Sequence, residues 1–219
     1  MSAGPASTHT LAGRLAREAQ VRAADCYQCG KCSAGCPVAG EMDATPSRIL
    51  RMLQLELPQH EEPILRARTL WLCVGCETCL ARCPKEVDLP RVMDFLRKEA
   101  LARGLAHRDA KDVIAFHRAF LHSVEWVGRL FELGMIAEYK LRTGHFFQDM
   151  TLAPAMYAKG KVGLLPHGRA KVARIFERVR AAERQEQAQR DAAGEGAFTP
   201  AERAGGLGSA TQHPPEQSR

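Results

Sequence analysis

The sequence lacks any apolar run long enough to cross a membrane. A spanning helix needs about 18–20 consecutive apolar residues, and the longest candidate stretch, 113–139, is interrupted by charged and histidine side chains. A secretory or twin-arginine leader is also missing from the sequence. We therefore expect a cytoplasmic protein without membrane-spanning helices, in a compartment where thiols stay reduced.

Several nucleotide-binding and catalytic motifs are absent as well. Neither G-x-G-x-x-G nor G-x-x-x-x-G-K-[ST] occurs, so the sequence gives no local support for binding of flavin, NAD or a nucleotide. His117 and His122 are five residues apart and do not share a helix face as an i, i+4 pair would. No nucleophile–base pair is identifiable, and no catalytic residue is assigned.

The charge balance is basic but does not indicate a nucleic-acid partner. The net charge is +6 and the pI is about 9.0, while aromatic residues make up only 6% of the chain. No basic patch interleaved with aromatic residues and no helix-turn-helix pattern accompanies the positive charge. Much of that charge is arginine interleaved with glutamate near the C-terminal end, which is typical of a solvated helix face.

What the sequence does contain is eight cysteines, arranged in two near-identical runs. Each run has the pattern C-x2-C-x2-C-x3-C-P, which bacterial-type ferredoxins use to hold [4Fe–4S] clusters. Pro37 and Pro84 end the runs, and their fixed φ directs the chain away from the sulfurs. The two runs use every cysteine of the chain and predict two [4Fe–4S] clusters.

The ligands of the two clusters are predicted to cross between the runs. In two-cluster proteins the fourth cysteine of such a run binds the other cluster, because it lies beyond a sharper bend of the chain. We therefore assign four ligands to each cluster. The first cluster is assigned Cys26, Cys29, Cys32 and Cys83, and the second is assigned Cys73, Cys76, Cys79 and Cys36.

Zinc and disulfide bonds are the alternatives for so many cysteines. Zinc sites often use two separated C-x2-C pairs or a Cys and His combination, and four cysteines within eleven residues fit that arrangement poorly. A disulfide framework is typical of short secreted chains, whereas this one has 219 residues. Both alternatives fit the spacing less well than two clusters.

The segments around the runs have helical rather than strand patterns. Residues 11–24 are predicted to form a helix that leads into the first run. Between the runs, Thr45 and Pro46 mark the start of a helix that Pro58 ends, and a short helix is expected over 62–70. After the second run, Asp88 is predicted to cap a helix that ends at Gly104 and has an apolar stripe. The stripe residues are Leu89, Val92, Met93, Leu96 and Leu101.

The fold class is therefore mainly α, an α-helical ferredoxin module followed by a helical extension. Further helices are predicted over 135–141, over 147–159 with a kink at Pro154, and over 169–188. The expected organisation is a disordered leader 1–10, a dicluster domain 11–104, a helical extension 105–190 and a disordered tail 191–219. An apolar stripe in the extension is expected to be core. Its residues are Val113, Phe116, Phe120, Val124, Val127 and Phe131.

Side chains near the cysteines are expected to influence the clusters. Apolar neighbours such as Tyr27 and Trp71 exclude water and tend to lower the reduction potential, whereas N–H donors and positive charges raise it. Lys31, Arg82 and Lys85 lie close to the cysteines in sequence. They are candidates for stabilising a reduced cluster, for contacting a redox partner, or for plain surface positions.

Four segments resemble the iron–sulfur C subunit of heterodisulfide reductases. They are MDATPSRILRM at 42–52, WLCVGCETC at 71–79, DLPRVM at 88–93 and KVGLLPHG at 161–168. The cysteine runs themselves occur in many dicluster proteins, so the linker and the segments after the clusters carry the resemblance. It extends over residues 11–180.

The resemblance implies a relay that passes single electrons between two other proteins of a complex. In that family, one of them is a flavoprotein, and the other has CCG motifs that hold the disulfide-reducing clusters. Both are therefore expected partners of this chain, which has no Cys-Cys pair itself. The alternatives are an iron–sulfur subunit of a quinone-linked, fumarate-reductase-like dehydrogenase and an assembly or regulatory protein with non-redox clusters.

Overall fold

A computed structural model describes residues 10–147, 151, 153–160 and 172–192. Helices make up most of this part of the chain, and no strand occurs within these ranges. The mainly α fold predicted from the sequence is confirmed. The described residues up to Ala181 belong to one compact unit, and those from Ala182 to Ala192 belong to a second.

The helices are short around the cysteines and longer beyond them. Three 3-10 turns, Ala23–Asp25, Ala39–Glu41 and Arg108–Ala110, separate some of them. The α-helices in chain order are α1 Leu11–Glu18, α2 Lys31–Ala34, α3 Pro46–Gln54, α4 Pro58–Leu65, α5 Thr69–Leu72, α6 Thr78–Ala81, α7 Leu89–Ala102, α8 Lys111–Val127, α9 Glu132–Thr143, α10 Ala153–Ala158 and α11 Ala173–Ala192.

Helix α7 has the predicted bounds and caps. Oδ1 of Asp88 accepts a hydrogen bond from the Arg91 backbone N–H at 3.1 Å. Gly104 follows the helix end with φ +67°, a left-handed conformation that glycine adopts without steric cost. Four of the five predicted stripe residues are buried, but Leu101 is 43% exposed and the prediction is wrong there. Phe95 and Ala100 are buried instead.

Helix α1 is shorter than the predicted helix over 11–24. It ends at Glu18 because Gln20 has φ +57°, which the α-helix does not allow. Thr10 was expected in a disordered leader, but its Oγ1 accepts a hydrogen bond from Gly13 N at 3.1 Å and caps α1. Residues 1–9, the rest of that leader, lie outside the described part of the chain.

Between the runs the structure has three helices where the sequence predicted two. Thr45 occupies the N-cap position of α3, but its side chain makes no capping hydrogen bond. Pro58 begins α4 rather than only ending the previous helix, since proline fits the first helical position. The predicted helix over 62–70 is divided between α4 and α5.

One apolar core lies between the long helices of the dicluster region. Helix α7 contacts α1, α4, α5 and α6, and α3 contacts α1, α2 and α4. Five cysteines are partly buried against this core: Cys26, Cys32, Cys73, Cys79 and Cys83. Its largest buried side chains are Leu11, Leu15, Ile49, Leu50, Leu53, Ile64, Leu65, Leu70, Met93 and Leu96.

A buried ion pair crosses this core. The guanidinium of Arg14 in α1 donates from Nη1 and Nη2 to both carboxylate oxygens of Glu99 in α7, each at 2.5 Å. Arg14 is 1% exposed and Glu99 is 0% exposed. Burial opposes the charge of Arg14, but the hydrogen bonds with Glu99 raise its pKa above the usual value. Arg103 adds a second contact to Glu99 at 3.4 Å.

The apolar stripe of α8 is not core as predicted. The residues buried in α8 are Ala119, Ser123 and Val127, whose face packs on α9. Ser123 Oγ accepts a hydrogen bond from Phe131 N at 2.7 Å, which fastens the turn before α9. Outside this face, the Tyr139 ring of α9 packs edge-on against Phe116, with 6.2 Å between the ring centroids, and leaves Phe116 partly exposed. Among the predicted stripe residues Val127 is buried, whereas Val113, Phe116 and Phe120 are exposed.

The remaining helices occur where helices were predicted, but their first and last residues differ from the predicted ones. Helix α9 contains the predicted segment 135–141. Pro154 lies in the first turn of α10, a position that proline tolerates, and causes no kink within a longer helix. Helix α11 begins and ends later than the predicted 169–188. The segment 161–168, the start of the predicted helix over 169–188 and the predicted tail from residue 193 onwards lie outside the described residues.

We predict that Arg14→Ala destabilises the protein by about 3–5 kcal/mol, because it leaves Glu99 as a buried charge without its main partner. Arg14→Met combined with Glu99→Leu should recover most of this loss, since it removes both charges together. The measurement is the free energy of unfolding of the cluster-loaded protein under anaerobic conditions.

The matched control is Arg51→Ala, because Arg51 is an exposed arginine of α3. It should change the free energy of unfolding by no more than about 0.5 kcal/mol. Equal effects of Arg14→Ala and Arg51→Ala would contradict a structural role for the buried pair.

Candidate iron–sulfur centre

The two cysteine runs have the same backbone conformation. The residue before the second cysteine has a left-handed φ in both runs, +63° at Gln28 and +65° at Gly75. The residue after the second cysteine does so too, with +76° at Gly30 and +59° at Glu77. Each run therefore turns sharply on both sides of its second cysteine, and the sequence pattern did not show that Gln28 and Glu77 adopt this conformation.

A single-turn helix follows in each run and leads to the fourth cysteine. Helix α2 contains Cys32, and α6 contains Cys79. These two helices contact each other, so the runs lie side by side. All eight cysteines are free thiols. The second cysteine of each run, Cys29 or Cys76, is exposed, while the other six are partly buried.

Hydrogen bonds to the exposed cysteines favour the thiolate form. The backbone N–H of Lys31 is the main cause that lowers the pKa of Cys29. At the equivalent place in the second run, the Thr78 hydroxyl lies 3.4 Å from Cys76 Sγ and lowers the pKa of that thiol. The Thr78 backbone N–H acts in the same direction. Thiolate is the form that binds iron.

The third cysteine of each run has the opposite environment. Burial raises the pKa of Cys32, and it raises the pKa of Cys79 to about 11. A thiol in such a place stays protonated until a metal displaces its proton. In both runs the second cysteine is therefore prepared for binding and the third is protected from solvent.

A cavity that is open to solvent lies between the runs. Three cysteines of the second run line it together with the fourth cysteine of the first run. Apolar side chains form much of the remaining wall, among them Met42, which precedes α3, and Leu89 and Met93 of α7. No three His, Cys, Asp or Glu side chains in the described part of the chain lie close enough to bind one metal ion together. The cysteines that line the cavity are Cys36, Cys73, Cys76 and Cys79.

The fourth cysteine of the second run lies near the first run. A hydrogen bond with Cys29 is the main cause that raises the pKa of the Tyr27 hydroxyl, and the sulfurs of Cys83 and Cys26 add to the effect. Arg82, the residue before Cys83, lies on the first run, since a Cβ at Gly35 would be 2.8 Å from its Cδ. The structure thus brings both fourth cysteines towards the opposite run.

Polar side chains fasten both runs to the core helices. Asp43, in the segment after the first run, accepts hydrogen bonds from the backbone N–H groups of Arg68 and Thr69 at 2.8 and 2.9 Å. It thereby caps α5, the helix that leads into Cys73. Ser33 in α2 accepts a hydrogen bond from Ser47 N at the start of α3, at 2.9 Å.

Two further side chains bind the backbone of the first cysteine in each run, and sequence reasoning missed both. Gln54 in α3 donates to the Cys26 carbonyl, and Arg97 in α7 donates to the Cys73 carbonyl. They lie 28 and 24 residues from these cysteines. Because these separations differ, the sequence does not show that Gln54 and Arg97 have equivalent roles. The only signal in the sequence is that a polar residue ends α3 and that an arginine follows Leu96 in α7.

The aromatic and basic residues that lie near the cysteines in sequence differ in their exposure and contacts. Tyr27 is exposed and contacts Cys29, whereas Trp71 is packed against the core. The Trp71 indole N–H is buried and has no acceptor among the described residues, so a hydrogen-bond donor is available two residues before Cys73. Lys31, Arg82 and Lys85 are all exposed.

This arrangement fits iron–sulfur clusters. It provides eight reduced thiols, N–H and hydroxyl donors at the sulfurs, and an apolar cavity with four cysteines around it. Residues 22–87 match the family model described as a 4Fe-4S dicluster domain.

Residues 22–87 are a 4Fe–4S dicluster domain. The domain contains all eight cysteines and binds two [4Fe–4S] clusters. Each bound cluster supplies one-electron redox chemistry.

Curated relatives of the dicluster domain confirm the resemblance noted in the sequence. The chain is 32% identical over 111 residues to the iron-sulfur C 2 subunit of the CoB–CoM heterodisulfide reductase of Methanocaldococcus jannaschii, covering 49% of this chain and 56% of that protein. It is 35% identical over 86 residues to the iron-sulfur C subunit of the same type of reductase in Methanopyrus kandleri, covering 38% and 43%.

A third relative belongs to a reductase whose name also includes ferredoxin. The chain is 32% identical over 91 residues to the C subunit of the H(2):CoB-CoM heterodisulfide,ferredoxin reductase of Methanothermobacter marburgensis, covering 42% of this chain and 48% of that protein. The chain spans about half the length of the curated relatives it matches.

Within the described ranges, no helix is long and apolar enough to cross a membrane. This agrees with the interrupted apolar stretch at 113–139, which forms parts of α8 and α9.

We predict that Gly75→Ala destabilises the dicluster domain by about 1–2 kcal/mol, because a side chain at φ +65° is strained even though no atom lies within 4 Å of the added Cβ. The readouts are the midpoint of anaerobic thermal unfolding and the iron content after reconstitution. Gly40→Ala is the matched control, since its Cβ also meets nothing within 4 Å and its φ is not left-handed. Equal stability of the two variants would disprove the role of backbone strain.

Proposed function

We propose that this protein is the electron-transfer iron–sulfur subunit of a heterodisulfide-reductase-like complex. The observation that carries the proposal is the meeting of the two cysteine runs around one cavity, with Cys36 of the first run beside Cys73, Cys76 and Cys79 of the second. Runs that interlock in this way hold two clusters close together, as a relay requires. The similarity to the iron–sulfur C subunits supports the type of complex.

The ligand assignment belongs to the same proposal. Cys26, Cys29, Cys32 and Cys83 bind the first cluster. The cavity supports the assignment of Cys36 to the second cluster, together with Cys73, Cys76 and Cys79. The effect of Cys83 on the Tyr27 hydroxyl, which bonds to Cys29, supports the assignment of Cys83 to the first. Residues 11–104 would form the dicluster domain, followed by a helical extension over 105–190.

We predict that Cys83→Ser impairs the cluster whose other ligands are Cys26, Cys29 and Cys32, although Cys83 belongs to the second run. The reciprocal variant, Cys36→Ser, should impair the cluster held by the second run. Iron content and the electron paramagnetic resonance (EPR) spectrum of the reduced protein measure the two effects. Serine is nearly isosteric with cysteine, so the fold should change little.

The comparison variants are Cys29→Ser and Cys76→Ser, which identify the spectra of the first and second clusters. Cys83→Ser should resemble Cys29→Ser, and Cys36→Ser should resemble Cys76→Ser. The opposite correspondence would mean that each run binds its own cluster, and the crossed assignment would then be abandoned.

The proposed partners are a flavoprotein and a protein with CCG motifs, the other two components of a heterodisulfide-reductase-like complex. The chain would accept single electrons from one and donate them to the other, and disulfide chemistry would take place on the CCG-motif protein. A cytoplasmic location is part of this proposal, since it keeps unliganded thiols reduced during cluster assembly. The names of the relatives, each one subunit of a larger reductase, support the existence of other subunits.

The experiment is an anaerobic affinity purification of the tagged protein from its own host, with mass spectrometry of the proteins that elute with it. Recovery of a flavoprotein and a CCG-motif protein is the expected result. Recovery of a membrane quinone enzyme would favour a quinone-linked dehydrogenase instead. Clusters that fail to turn over between an added electron donor and acceptor would contradict any electron-transfer role.

A further inference from the structure

The first cysteine run is fastened to α3 by a neutral side chain. Gln54 Nε2 donates hydrogen bonds to the Ala23 carbonyl at 2.9 Å and to the Cys26 carbonyl at 2.5 Å. Gln54 Oε1 accepts a hydrogen bond from Gln28 Nε2 at 3.0 Å, and the same nitrogen of Gln28 lies 3.6 Å from Cys26 Sγ. The Gln54 amide therefore contacts the backbone and, through Gln28, the sulfur side of this run.

The second run is fastened at the same two backbone positions by a cation. Arg97 Nε donates to the Leu70 carbonyl at 2.5 Å, and Arg97 Nη2 donates to the Cys73 carbonyl. Leu70 precedes Cys73 by three residues, as Ala23 precedes Cys26. Gln54 and Arg97 thus occupy equivalent places on α3 and α7, and they differ by one positive charge.

We propose that Arg97 raises the reduction potential of the second cluster, and that Gln54 is its neutral counterpart at the first. Reduction adds negative charge to a cluster, and a nearby cation stabilises the reduced form more than the oxidised form. The Arg97 side chain is only 26% exposed, so water screens its charge incompletely. Its hydrogen bonds to the Leu70 and Cys73 carbonyls hold the charge at a fixed distance from a cluster ligand.

Other charges act near the clusters and define what Arg97 itself contributes. Asp94 Oδ1 lies 2.9 Å from Arg97 Nη1 and offsets part of the cationic charge, but the Asp94 side chain is 72% exposed. Lys31 lies near Cys29 of the first run, and Glu77 lines the cavity of the second. The proposal therefore concerns the shift that Arg97 causes at the second cluster and does not depend on which cluster has the higher potential.

The test is an anaerobic redox titration of the purified protein, followed by EPR. Arg97→Gln introduces the same residue type as Gln54, which holds the first run. The side chain can then still donate hydrogen bonds to the carbonyls, while the charge is removed. It should lower the potential of the second cluster and leave the first nearly unchanged. Arg97→Lys keeps the charge and should stay near the original value. A tenfold change in the ratio of reduced to oxidised cluster at a fixed potential corresponds to about 59 mV.

A third variant tests the proposal in case Arg97→Gln does not retain the second cluster. Asp94→Asn removes the counter-charge from an exposed position and should raise the potential of the same cluster. The EPR signal of the second cluster is identified as the one that Cys76→Ser removes or shifts. A potential of the second cluster that is lower in Arg97→Gln than in Arg97→Lys supports the proposal. Where Arg97→Gln does not retain the second cluster, a raised potential in Asp94→Asn supports it.

Two results would overturn it. One is an unchanged potential of the second cluster in both Arg97→Gln and Asp94→Asn. The other is an equal decrease in Arg97→Gln and Arg97→Lys, which would assign the effect to hydrogen-bond geometry instead of charge. The inference rests on the proposed function only through the assignment of the second cluster. Because the titration uses the isolated protein, its result is independent of whether the flavoprotein and the CCG-motif protein are recovered.

Discussion

Each cluster needs four thiolates that approach it from different directions, and this requirement determines the backbone of both cysteine runs. With two residues between successive cysteines, the chain reverses direction sharply and adopts left-handed φ values on both sides of the second cysteine. Glycine meets this requirement at Gly30 and Gly75, but Gln28 and Glu77 meet it at a steric cost. Loops with such strain and little apolar surface depend on other elements for their stability.

The helices around the runs supply that stability. Helices α1, α3, α4 and α7 bury most of the apolar core residues, while α2 and α6 have no buried residue. The buried Arg14–Glu99 pair makes the packing of α1 on α7 specific, because its two parallel hydrogen bonds form only when the two helices are correctly placed. Hydrogen bonds then hold both runs in place against these helices. Gln54 donates to the Cys26 carbonyl, and Arg97 donates to the Cys73 carbonyl. Asp43 accepts from the Arg68 N–H at the start of α5, the helix that leads into the second run.

The features that the sequence predicted well are those that local chemistry determines. The cysteine spacing predicts the clusters, and the Asp88 cap and Gly104 bound α7 because both act within one helical turn. Burial was harder to predict, because it depends on how helices far apart in the chain pack: Leu101 and Phe116 fit an apolar stripe, yet each is 43% exposed. The roles of Gln54 and Arg97 depend on contacts with residues far away in the chain, which no local pattern contains.

The shared backbone of the two runs has a consequence for electron transfer. Two clusters in identical protein surroundings would have equal reduction potentials. An electron would then have no preference for one cluster over the other. On one backbone the difference must come from side chains at equivalent places. Lys31 corresponds to Thr78, Gly30 to Glu77, and Gln54 to Arg97. Of these, Arg97 combines a cationic charge, partial burial and direct bonds to the backbone of a cluster ligand. A charge held in this way acts on the cluster with a constant strength, whereas the exposed Lys31 and Glu77 are screened by water and salt.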